Sequence, residues 1–293
     1  MRKILVLRGG ALGDFIVTLP ALALLRSRWP AADIEWVGNA TAAALALRQR
    51  LLDRVHSQHE ARWGALYGGA PLPPDFAAWL SEFDLVVNYW PDPGSELRRR
   101  FPIRTGQTFL SATAMPARAP AAAHYCEPLT QLGLETREFF HRFAGGGRVP
   151  SGDPRPIIVH PGSGSPRKNW PPERWLDLIA RLPAPVSVVI GEAEIDRWEK
   201  VDLPVKSRLE NLPLDELSGH LSACRFFLGH DSGVSHLAAA CGAPCLLLFG
   251  PTDPAMWAPP APHVRAIRHD HDLSSISLDE VLQALDAALG GRA

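Results

Sequence analysis

The 293-residue sequence lacks the features that mark several specialised classes of protein. Its four cysteines form no C-x-x-C pair and no disulfide-like framework, and three lie in apolar surroundings that indicate reduced core residues. No apolar run approaches the roughly 18 residues of a membrane-spanning helix. A formal net charge of -1 provides no global field that would attract nucleic acid or an anionic membrane. We therefore expect a cytoplasmic protein without a nucleic-acid partner.

The N-terminal stretch MRKILVLRGG also lacks the long apolar region and the small-residue cleavage site of a signal peptide. We interpret its apolar part as the first buried strand of a sheet. No G-x-G-x-x-G dinucleotide fingerprint follows this strand, because Arg8 stands at the first glycine position of R-G-G-A-L-G. A Rossmann oxidoreductase is therefore the least favoured functional alternative.

Strand-like and helix-like segments alternate along the chain, which is typical of parallel strands connected by crossover helices. In the first half the predicted strands are 3–8, 33–38, 54–57, 84–89 and 102–105, and the predicted helices are 14–28, 40–50, 76–82 and 121–133. In the second half the predicted strands are 156–160, 186–191, CRFFLGHD and PCLLLFG, and the predicted helices are PPERWLDLIARL, LPLDELSGHLSAC, SGVSHLAAACG and SLDEVLQALDAALGG.

The segment AGGGRVPSGDPRP, at 144–156, separates the two halves and has the composition of a linker. We predict an α/β protein of two Rossmann-like, doubly wound domains, 1–148 and 149–293, that face a central cleft, with a last helix that is free to pack back on the first domain. Ligands in such sheets bind at the carboxyl ends of the strands. The loops expected to carry chemistry are therefore 8–14, 160–170, 191–192, 229–236 and 249–253.

The stretch GHDSGVSHLAAACG places a helix start directly after a predicted strand. The first amides of a helix have no intrahelical partner and favour a phosphate. Gly233 would let a ligand approach the backbone, Ser232 offers a hydroxyl, and His236 lies one turn further on the same face. The alternative is that Asp231 only caps the helix and that His236 is a satisfied polar residue.

Two further loops follow predicted strands in the second half. HPGSGSPRKNWPPERW places Arg167 and Lys168 in a glycine- and serine-rich loop, where a compact ammonium can reach a diphosphate oxygen. FGPTDPAMW offers the side chains of Thr252 and Asp253. The alternatives are a solvated loop with Trp170 and Trp175 in the core, and a plain proline-rich turn. Together the three loops supply amides, a cation and hydroxyls for one anionic ligand.

Four motifs, RGGALGD, HPGSGSPRKNWP, GHDSGVSHLAAACGAP and FGPTDP, resemble those of glycosyltransferase family 9, the ADP-heptose:lipopolysaccharide heptosyltransferases. The resemblance covers both ends of the chain in the family's order. It implies the GT-B fold, with the acceptor bound mainly by the first domain and the nucleotide sugar by the second. It also implies an inverting transfer of heptose from ADP-heptose to a glycan or glycolipid acceptor of the lipopolysaccharide type, by an enzyme in peripheral contact with the inner membrane.

In this family the aspartate after the first glycine turn is proposed as the general base, which here is Asp14. An inverting transfer needs such a carboxylate to accept the proton of the attacking hydroxyl. It also needs positive charge on the departing diphosphate, which the resemblance assigns to Lys168. Gly10 and Gly13 would let the acceptor and the donor sugar come close. Capping of the helix 14–28 is an alternative role for Asp14 that can coexist with catalysis.

The donor-binding set that follows from the loops and the resemblance lies in the second half of the chain. Its members are Ser163, Gly164, Arg167, Lys168, Gly191, Asp231, Ser232, Gly233, His236, Thr252 and Asp253. No residue pattern identifies the base of the nucleotide. A glycosyltransferase-like binding or scaffold protein without turnover is the main functional alternative, and the presence of both Asp14 and Lys168 argues against it.

The first half departs from the family after the strand DLVVNY, where the chain reads NYWPDPGSELRRR. We expect 94–100 to begin as a loop, in which Arg98 and its two neighbouring arginines either contact an anionic acceptor or form a solvated face. No D-x-D motif stands in a convincing context, and we interpret HDHD at 269–272 as a solvated loop rather than a metal site. We therefore expect no obligatory metal or other cofactor besides the nucleotide-sugar donor.

Overall fold

The computed structural model describes residues 1–144, 155–183, 185–192, 194–198, 201 and 203–290. The chain divides into two compact units, Met1–His141 and Arg142–Ala293. The predicted domain boundary at 148/149 and most of the predicted linker 144–156 lie outside the described residues.

The described part of the first unit contains a five-stranded sheet in the order β3-β2-β1-β4-β5, with all neighbouring strands parallel. The strands are β1 Lys3–Arg8, β2 Asp33–Gly38, β3 Arg54–Ser57, β4 Leu85–Asn88 and β5 Thr108–Ser111. The helices are α1 Leu12–Arg28, α2 Ala40–Arg48, α3 Pro74–Ser81, α4 Glu96–Arg100 and α5 Ala121–Cys126, with 3₁₀ helices at Ala61–Leu66 and Glu127–Leu132.

Among its described residues, the second unit contains a six-stranded parallel sheet in the order β11-β10-β9-β6-β7-β8. The strands are β6 Ile157–Val159, β7 Val186–Ile190, β8 Ser207–Glu210, β9 Phe226–His230, β10 Cys245–Phe249 and β11 Val264–Arg268. The helices are α6 Pro172–Arg181, α7 Ile195–Trp198, α8 Leu214–Ala223, α9 Gly233–Ala240, α10 Pro254–Trp257 and α11 Leu278–Gly290, with 3₁₀ helices at Pro166–Lys168 and Leu273–Ser275.

The order of the strands in each sheet explains where ligands are expected. β1 lies between β2 and β4, and β6 lies between β7 and β9, so the order of the strands reverses beside the first strand of each unit. In open α/β sheets ligands bind at the carboxyl ends of the strands at such a reversal. The topology therefore places the predicted loops 8–14, 160–170 and 229–236 at the two binding positions.

One sequence-based expectation for the first unit is wrong. The segment 102–105 is irregular, because Pro102 lacks an amide for a strand ladder, and the fifth strand is β5 instead. The segment 94–100 begins as a loop at Gly94 and Ser95, as expected, and continues as helix α4, whose first amides are capped from outside the helix. The carboxylate of Asp92 accepts the amides of Leu97 at 3.0 Å and of Arg98 at 3.1 Å.

The edge strands β8 and β11 of the second unit were not predicted, because their polar sequences SRLE and VRAIR carry little apolar pattern.

Buried aromatic side chains form much of both cores. In the second unit Trp170 and Trp175 are fully enclosed, as the structural alternative for their loop proposed, and α11 packs on the same core through Val281 and Leu285. All four cysteines are buried free thiols, which include the three interpreted as reduced core residues. Burial raises the pKa of three of these thiols to about 12, so they are poor nucleophiles: Cys126, Cys224 and Cys241.

Glu35 in β2 is a carboxylate enclosed within the first unit, and only 1% of the residue is exposed. Arg54 Nη1 donates to its Oε1 at 2.9 Å, and His56 Nε2 lies 2.7 Å from its Oε2. Burial alone raises the pKa of this carboxyl, but the hydrogen bonds and charges of His56 and Arg54 lower it more, so the resulting pKa is below its usual value. Glu35 is therefore ionised and stabilises the sheet at neutral pH.

We expect Glu35→Gln to destabilise the first unit by about 1–3 kcal/mol at pH 7, because the variant removes the charged acceptor of two part-buried hydrogen bonds. A carboxyl whose folded pKa is lowered contributes stability above its unfolded pKa, and this stability is lost as the pH falls through the folded pKa. The difference in melting temperature between the wild type and the variant should therefore be full at pH 7 and shrink below about pH 4.3. Differential scanning fluorimetry between pH 7 and pH 3, with the exposed Glu96→Gln as control, measures it. A difference that stays constant to pH 3 would contradict the ionic role.

Candidate functional site

The glycine turn after β1 holds Asp14 in the first turn of α1. The helix begins at Leu12 with Ala11 as its N-cap, so Asp14 is not the N-cap. Its Oδ2 instead accepts the amide of Ala11 at 2.9 Å. Gly10 has a φ of +114°, and a Cβ at this position would lie 2.5 Å from Asp14 Oδ2, so only glycine lets the turn fold over the carboxylate. Gly13 is the second residue of the helix and is half-buried.

Arg8 is the partner of Asp14 that sequence reasoning missed. Arg8 is 5% exposed, and its Nη2 donates to Asp14 Oδ1 at 2.8 Å and lies 2.9 Å from the hydroxyl of Tyr125. That hydroxyl donates to the carbonyl of Ala114, and burial raises the pKa of Tyr125, so the phenol stays protonated. Both oxygens of Asp14 therefore have a donor, yet 34% of its side chain remains exposed to a ligand. The sequence signal that could have identified Arg8 is its position, because it is a charged residue at the end of a buried strand.

The arginine run of α4 is engaged with the backbone of the first unit. Arg98 Nη1 donates to the carbonyl of Phe109 at 2.8 Å, and Arg100 Nε donates to the carbonyl of Ala65 at 3.2 Å. Arg99 is exposed. Two of the three guanidinium groups thus bind backbone carbonyls of β5 and of the 3₁₀ helix Ala61–Leu66, and a contact of Arg98 with an acceptor stays a prediction.

Three predicted loops of the second unit meet at Asp231. Lys168 Nζ lies 2.6 Å from Asp231 Oδ2, and Thr252 Oγ1 donates to the same oxygen at 2.7 Å. Asp231 is 8% exposed, whereas 31% of the Lys168 side chain is exposed. The structure therefore brings these three predicted residues together, with Asp231 holding the ammonium in place and Lys168 neutralising the carboxylate.

Helix α9 begins beside this cluster. Its N-cap is Ser232, not Asp231 as the alternative had it, and its first residue is Gly233. Ser232 Oγ accepts the amide of Ser235 at 3.3 Å. His236 is buried inside the helix. A helix N-terminus of this kind presents amides and positive partial charge to an anion.

The other predicted donor-binding residues have mixed surroundings. Ser163 is buried, and its hydroxyl donates to Asn169 Oδ1 at 2.7 Å, so it stabilises its own loop. Gly164 and Arg167 are exposed, and the guanidinium has no hydrogen bond or ion pair with the part of the chain that the structure describes. Asp253 caps α10 by accepting the amide of Ala255 at 3.0 Å, which agrees with the turn alternative.

A buried polar chain that was not predicted adjoins Ser232. Ser232 Oγ lies 3.2 Å from His160 Nδ1, and His160 Nε2 lies 3.6 Å from Glu194 Oε2. The amide of Gly191 donates to the same carboxylate oxygen at 3.0 Å. Burial raises the pKa of Glu194, but the His160 contact and the Gly191 amide lower it more, so the resulting pKa is below its usual value. The predicted residue Gly191 is therefore connected to Ser232 through Glu194 and His160.

His230 at the end of β9 is a second buried imidazole that sequence reasoning missed. Its Nε2 accepts the amide of Trp170 at 2.8 Å, and its Nδ1 lies 3.3 Å from the carbonyl of Gly162. Burial lowers the pKa of His230 to about 3, so the ring is neutral. His230 therefore holds Gly162 and Trp170, the two ends of the loop that carries Lys168, in place.

The described residues form neither a metal-binding cluster nor a membrane-spanning helix. No group of three or more His, Cys, Asp or Glu side chains within the described ranges is arranged to hold a metal ion. In the acidic segment 269–272, His269 pairs with Glu280 and Asp272 caps a 3₁₀ helix. No helix in the described part of the chain is long and apolar enough to cross a membrane.

Comparison with known proteins identifies relatives that match most of the chain. The sequence model of glycosyltransferase family 9 (heptosyltransferase) matches residues 121–282. Lipopolysaccharide heptosyltransferase 1 of Salmonella typhimurium is 24% identical over 296 residues, which cover 87% of this chain and 90% of that protein. The crystal structure of a family 9 glycosyltransferase from Veillonella parvula superposes with a TM-score of 0.79 at 22% identity, covering 99% of this chain and 98% of that chain.

A second solved structure that resembles this chain contains a nucleotide-sugar analogue. Escherichia coli heptosyltransferase WaaC with ADP-2-deoxy-2-fluoro heptose superposes with a TM-score of 0.74 at 19% identity, covering 97% of this chain and 99% of that chain. At these identities the structural likeness establishes the fold, which is GT-B, as the motifs predicted.

Proposed function

Because the chain belongs to glycosyltransferase family 9, the heptosyltransferases, we propose that it transfers a heptose from ADP-heptose to a sugar hydroxyl of a lipopolysaccharide-like acceptor, with inversion at the anomeric carbon. Membership of the family makes the protein a glycosyltransferase. The choice of donor rests on relatives that are described with ADP-heptose analogues, and the choice of acceptor on relatives named as lipopolysaccharide heptosyltransferases.

In this proposal Asp14 is the general base. Its carboxylate accepts the proton of the acceptor hydroxyl as that oxygen attacks the anomeric carbon. Two fixed donors, Arg8 Nη2 and the Ala11 amide, hold the carboxylate in one orientation while a third of it stays exposed. Such preorganisation removes the need to orient the base during the reaction. Gly10 and Gly13 keep the space over the turn free for the reacting sugars.

Lys168 and the start of α9 act on the departing ADP. The ammonium and the amides beside Ser232 and Gly233 are placed to stabilise the negative charge that develops on the diphosphate. Arg167 is exposed in the same loop and adds a second cation. The joining of Lys168, Asp231 and Thr252 at the start of a helix is the observation that carries the proposal.

The remaining parts of the proposal concern the acceptor and the location of the enzyme. We place the acceptor on the first unit, where Arg98 is the candidate contact for an anionic sugar. We further propose that the protein works in the cytoplasm in peripheral contact with the inner membrane, and that its chemistry requires no bound metal.

A panel of ADP, UDP, GDP, CMP and NAD, each measured for its effect on melting temperature, tests the donor assignment. We expect ADP to stabilise the protein most, because a ligand at 100 times its dissociation constant adds about 2.7 kcal/mol to the free energy of unfolding. A shift with UDP or GDP alone would overturn ADP-heptose as donor. A shift with NAD alone would overturn the transferase assignment of the site.

A further inference from the structure

The buried chain of Glu194, His160 and Ser232 lies next to the proposed diphosphate site, and neither Glu194 nor His160 has a role in the chemistry described above. Glu194 and His160 are 6% and 2% exposed. The backbone is shaped around Glu194, because a Cβ on Gly162 would lie 2.0 Å from its Cγ and a Cβ on Gly191 would lie 2.8 Å from its Oε2. A buried carboxylate is costly unless it has a partner, and the partner here is an imidazole.

The contacts of His160 determine where its protons lie. Glu194 is ionised, since its pKa is lowered, and an ionised carboxylate can only accept. A neutral His160 therefore carries its hydrogen on Nε2, toward Glu194, and presents a lone pair from Nδ1 to Ser232 Oγ at 3.2 Å. The Ser232 hydroxyl then donates to Nδ1 and accepts the amide of Ser235. Ser235 Oγ, 3.1 Å from Ser232 Oγ, is a second acceptor within reach, and its own hydrogen is donated to the carbonyl of His230. An imidazole nitrogen is the stronger acceptor of the two, and it would otherwise be buried without a donor. In this state the hydrogen of the Ser232 hydroxyl points away from any ligand at the start of α9.

We propose that Glu194 and His160 are positioning residues that aim the Ser232 hydroxyl at the ligand's diphosphate and link nucleotide binding to uptake of a proton from solvent. The inference rests on the proposed function and adds a device to its donor site. When a diphosphate binds, the Ser232 hydroxyl turns its hydrogen to a phosphate oxygen. His160 Nδ1 then takes a proton from the solvent and donates to Ser232 Oγ. The imidazolium pairs with Glu194, which neutralises it.

The other charged groups near this chain are not expected to change their protonation when ADP binds, so we assign the proton uptake to His160. His230, from the neighbouring strand β9, is already neutral at pH 8, because burial lowers its pKa to about 3. Lys168 and Asp231 form an ion pair with each other. Among the described residues Glu194 is the carboxylate within ion-pair distance of His160.

Titration calorimetry of ADP at pH 8, in two buffers with different enthalpies of ionisation, measures the proton uptake directly. At this pH an imidazole is ordinarily neutral and the terminal phosphate of ADP, with a pKa of about 6, is ionised, so ADP itself contributes little. We expect about half a proton or more to be taken up per ADP bound by the wild type.

Glu194→Gln keeps an acceptor for His160 Nε2 and for the Gly191 amide but removes the charge that stabilises the imidazolium. We expect its proton uptake to fall toward zero and its affinity for ADP to fall about tenfold at pH 8. The loss of affinity should shrink at pH 6, where an imidazole is ordinarily protonated. A purely structural role of Glu194 would weaken binding equally at both pH values.

Ser232→Ala breaks the same chain at its other end and should also abolish the uptake. Glu192→Gln, an exposed carboxylate in the same turn, is the matched control and should behave as the wild type. Wild-type binding of ADP without proton uptake, or uptake that persists in either Glu194→Gln or Ser232→Ala, would overturn the inference while leaving the proposed function intact. Absence of ADP binding by the wild type would instead overturn the proposed donor.

Discussion

Asp14→Asn should lower kcat for heptosyl transfer by about 10²–10⁴-fold, the usual contribution of a general base. An asparagine keeps the size of the side chain but cannot accept the proton of the acceptor hydroxyl. The affinity for ADP should stay within about twofold of the wild type, because the proposed diphosphate contacts belong to Lys168 and α9 in the second unit. Release of ADP from ADP-heptose in the presence of acceptor gives kcat, and calorimetry gives the affinity.

The structure also identifies the side effect for which this experiment must be controlled. Asp14 accepts the Arg8 guanidinium on Oδ1 and the amide of Ala11 on Oδ2, and an asparagine keeps an oxygen at only one of these two positions. A modest loss of stability of about 1 kcal/mol is therefore expected and is measured by thermal denaturation. Asp75→Asn, an acidic residue in the first turn of α3, is the control for such an exchange without a catalytic role.

The outcome separates enzyme from binding protein. Transfer that is unchanged in Asp14→Asn would remove Asp14 from the role of base. A wild type that binds ADP-heptose but transfers nothing to any lipopolysaccharide-core acceptor would favour the alternative of a glycosyltransferase-like binding protein. A selective loss of kcat in Asp14→Asn would support catalysis at this carboxylate.

The strands that carry the site could be predicted because their apolar runs are unambiguous. The predictions at 3–8 and 33–38 coincide with β1 and β2, and the loops that follow β6, β9 and β10 were identified by the glycine and serine residues at their start. The contact of Lys168 with Asp231 and Thr252 follows from parallel topology, since the carboxyl ends of neighbouring strands meet at one edge of a sheet.

The partners inside the site could not be predicted, because they depend on contacts between distant parts of the chain. Arg8 was noted only as a break in a dinucleotide fingerprint, and its contact with Tyr125 spans 117 residues. Glu194 follows a strand by four residues in a charged segment, where a solvated side chain is the ordinary expectation. Its burial depends on the missing side chain of Gly162, which the sequence shows but does not connect to Glu194.

Lys168→Met should lower kcat/KM for the donor by about 10²–10³-fold, since it removes a cation from the proposed leaving diphosphate. The effect has two parts. The ammonium no longer stabilises the charge that develops on ADP, and Asp231, which is 8% exposed, keeps only the Thr252 hydroxyl of the two donors that hold it. An uncompensated carboxylate beside the diphosphate then repels it. We expect the affinity for ADP to fall about tenfold or more.

The repulsion of the diphosphate by Asp231 can be measured separately by neutralising Asp231 in the Lys168→Met variant. Lys168→Met combined with Asp231→Asn removes the repulsion and should bind ADP several-fold more tightly than Lys168→Met alone, although kcat stays low because the cation is still missing. Lys206→Met, an exposed lysine of the same unit, is the control for the loss of one positive charge from the surface. Equal affinity of the single and double variants would show that Asp231 does not face the diphosphate. Wild-type affinity in Lys168→Met would place the diphosphate elsewhere, because a cation in direct contact with a dianion cannot be removed without weakening its binding.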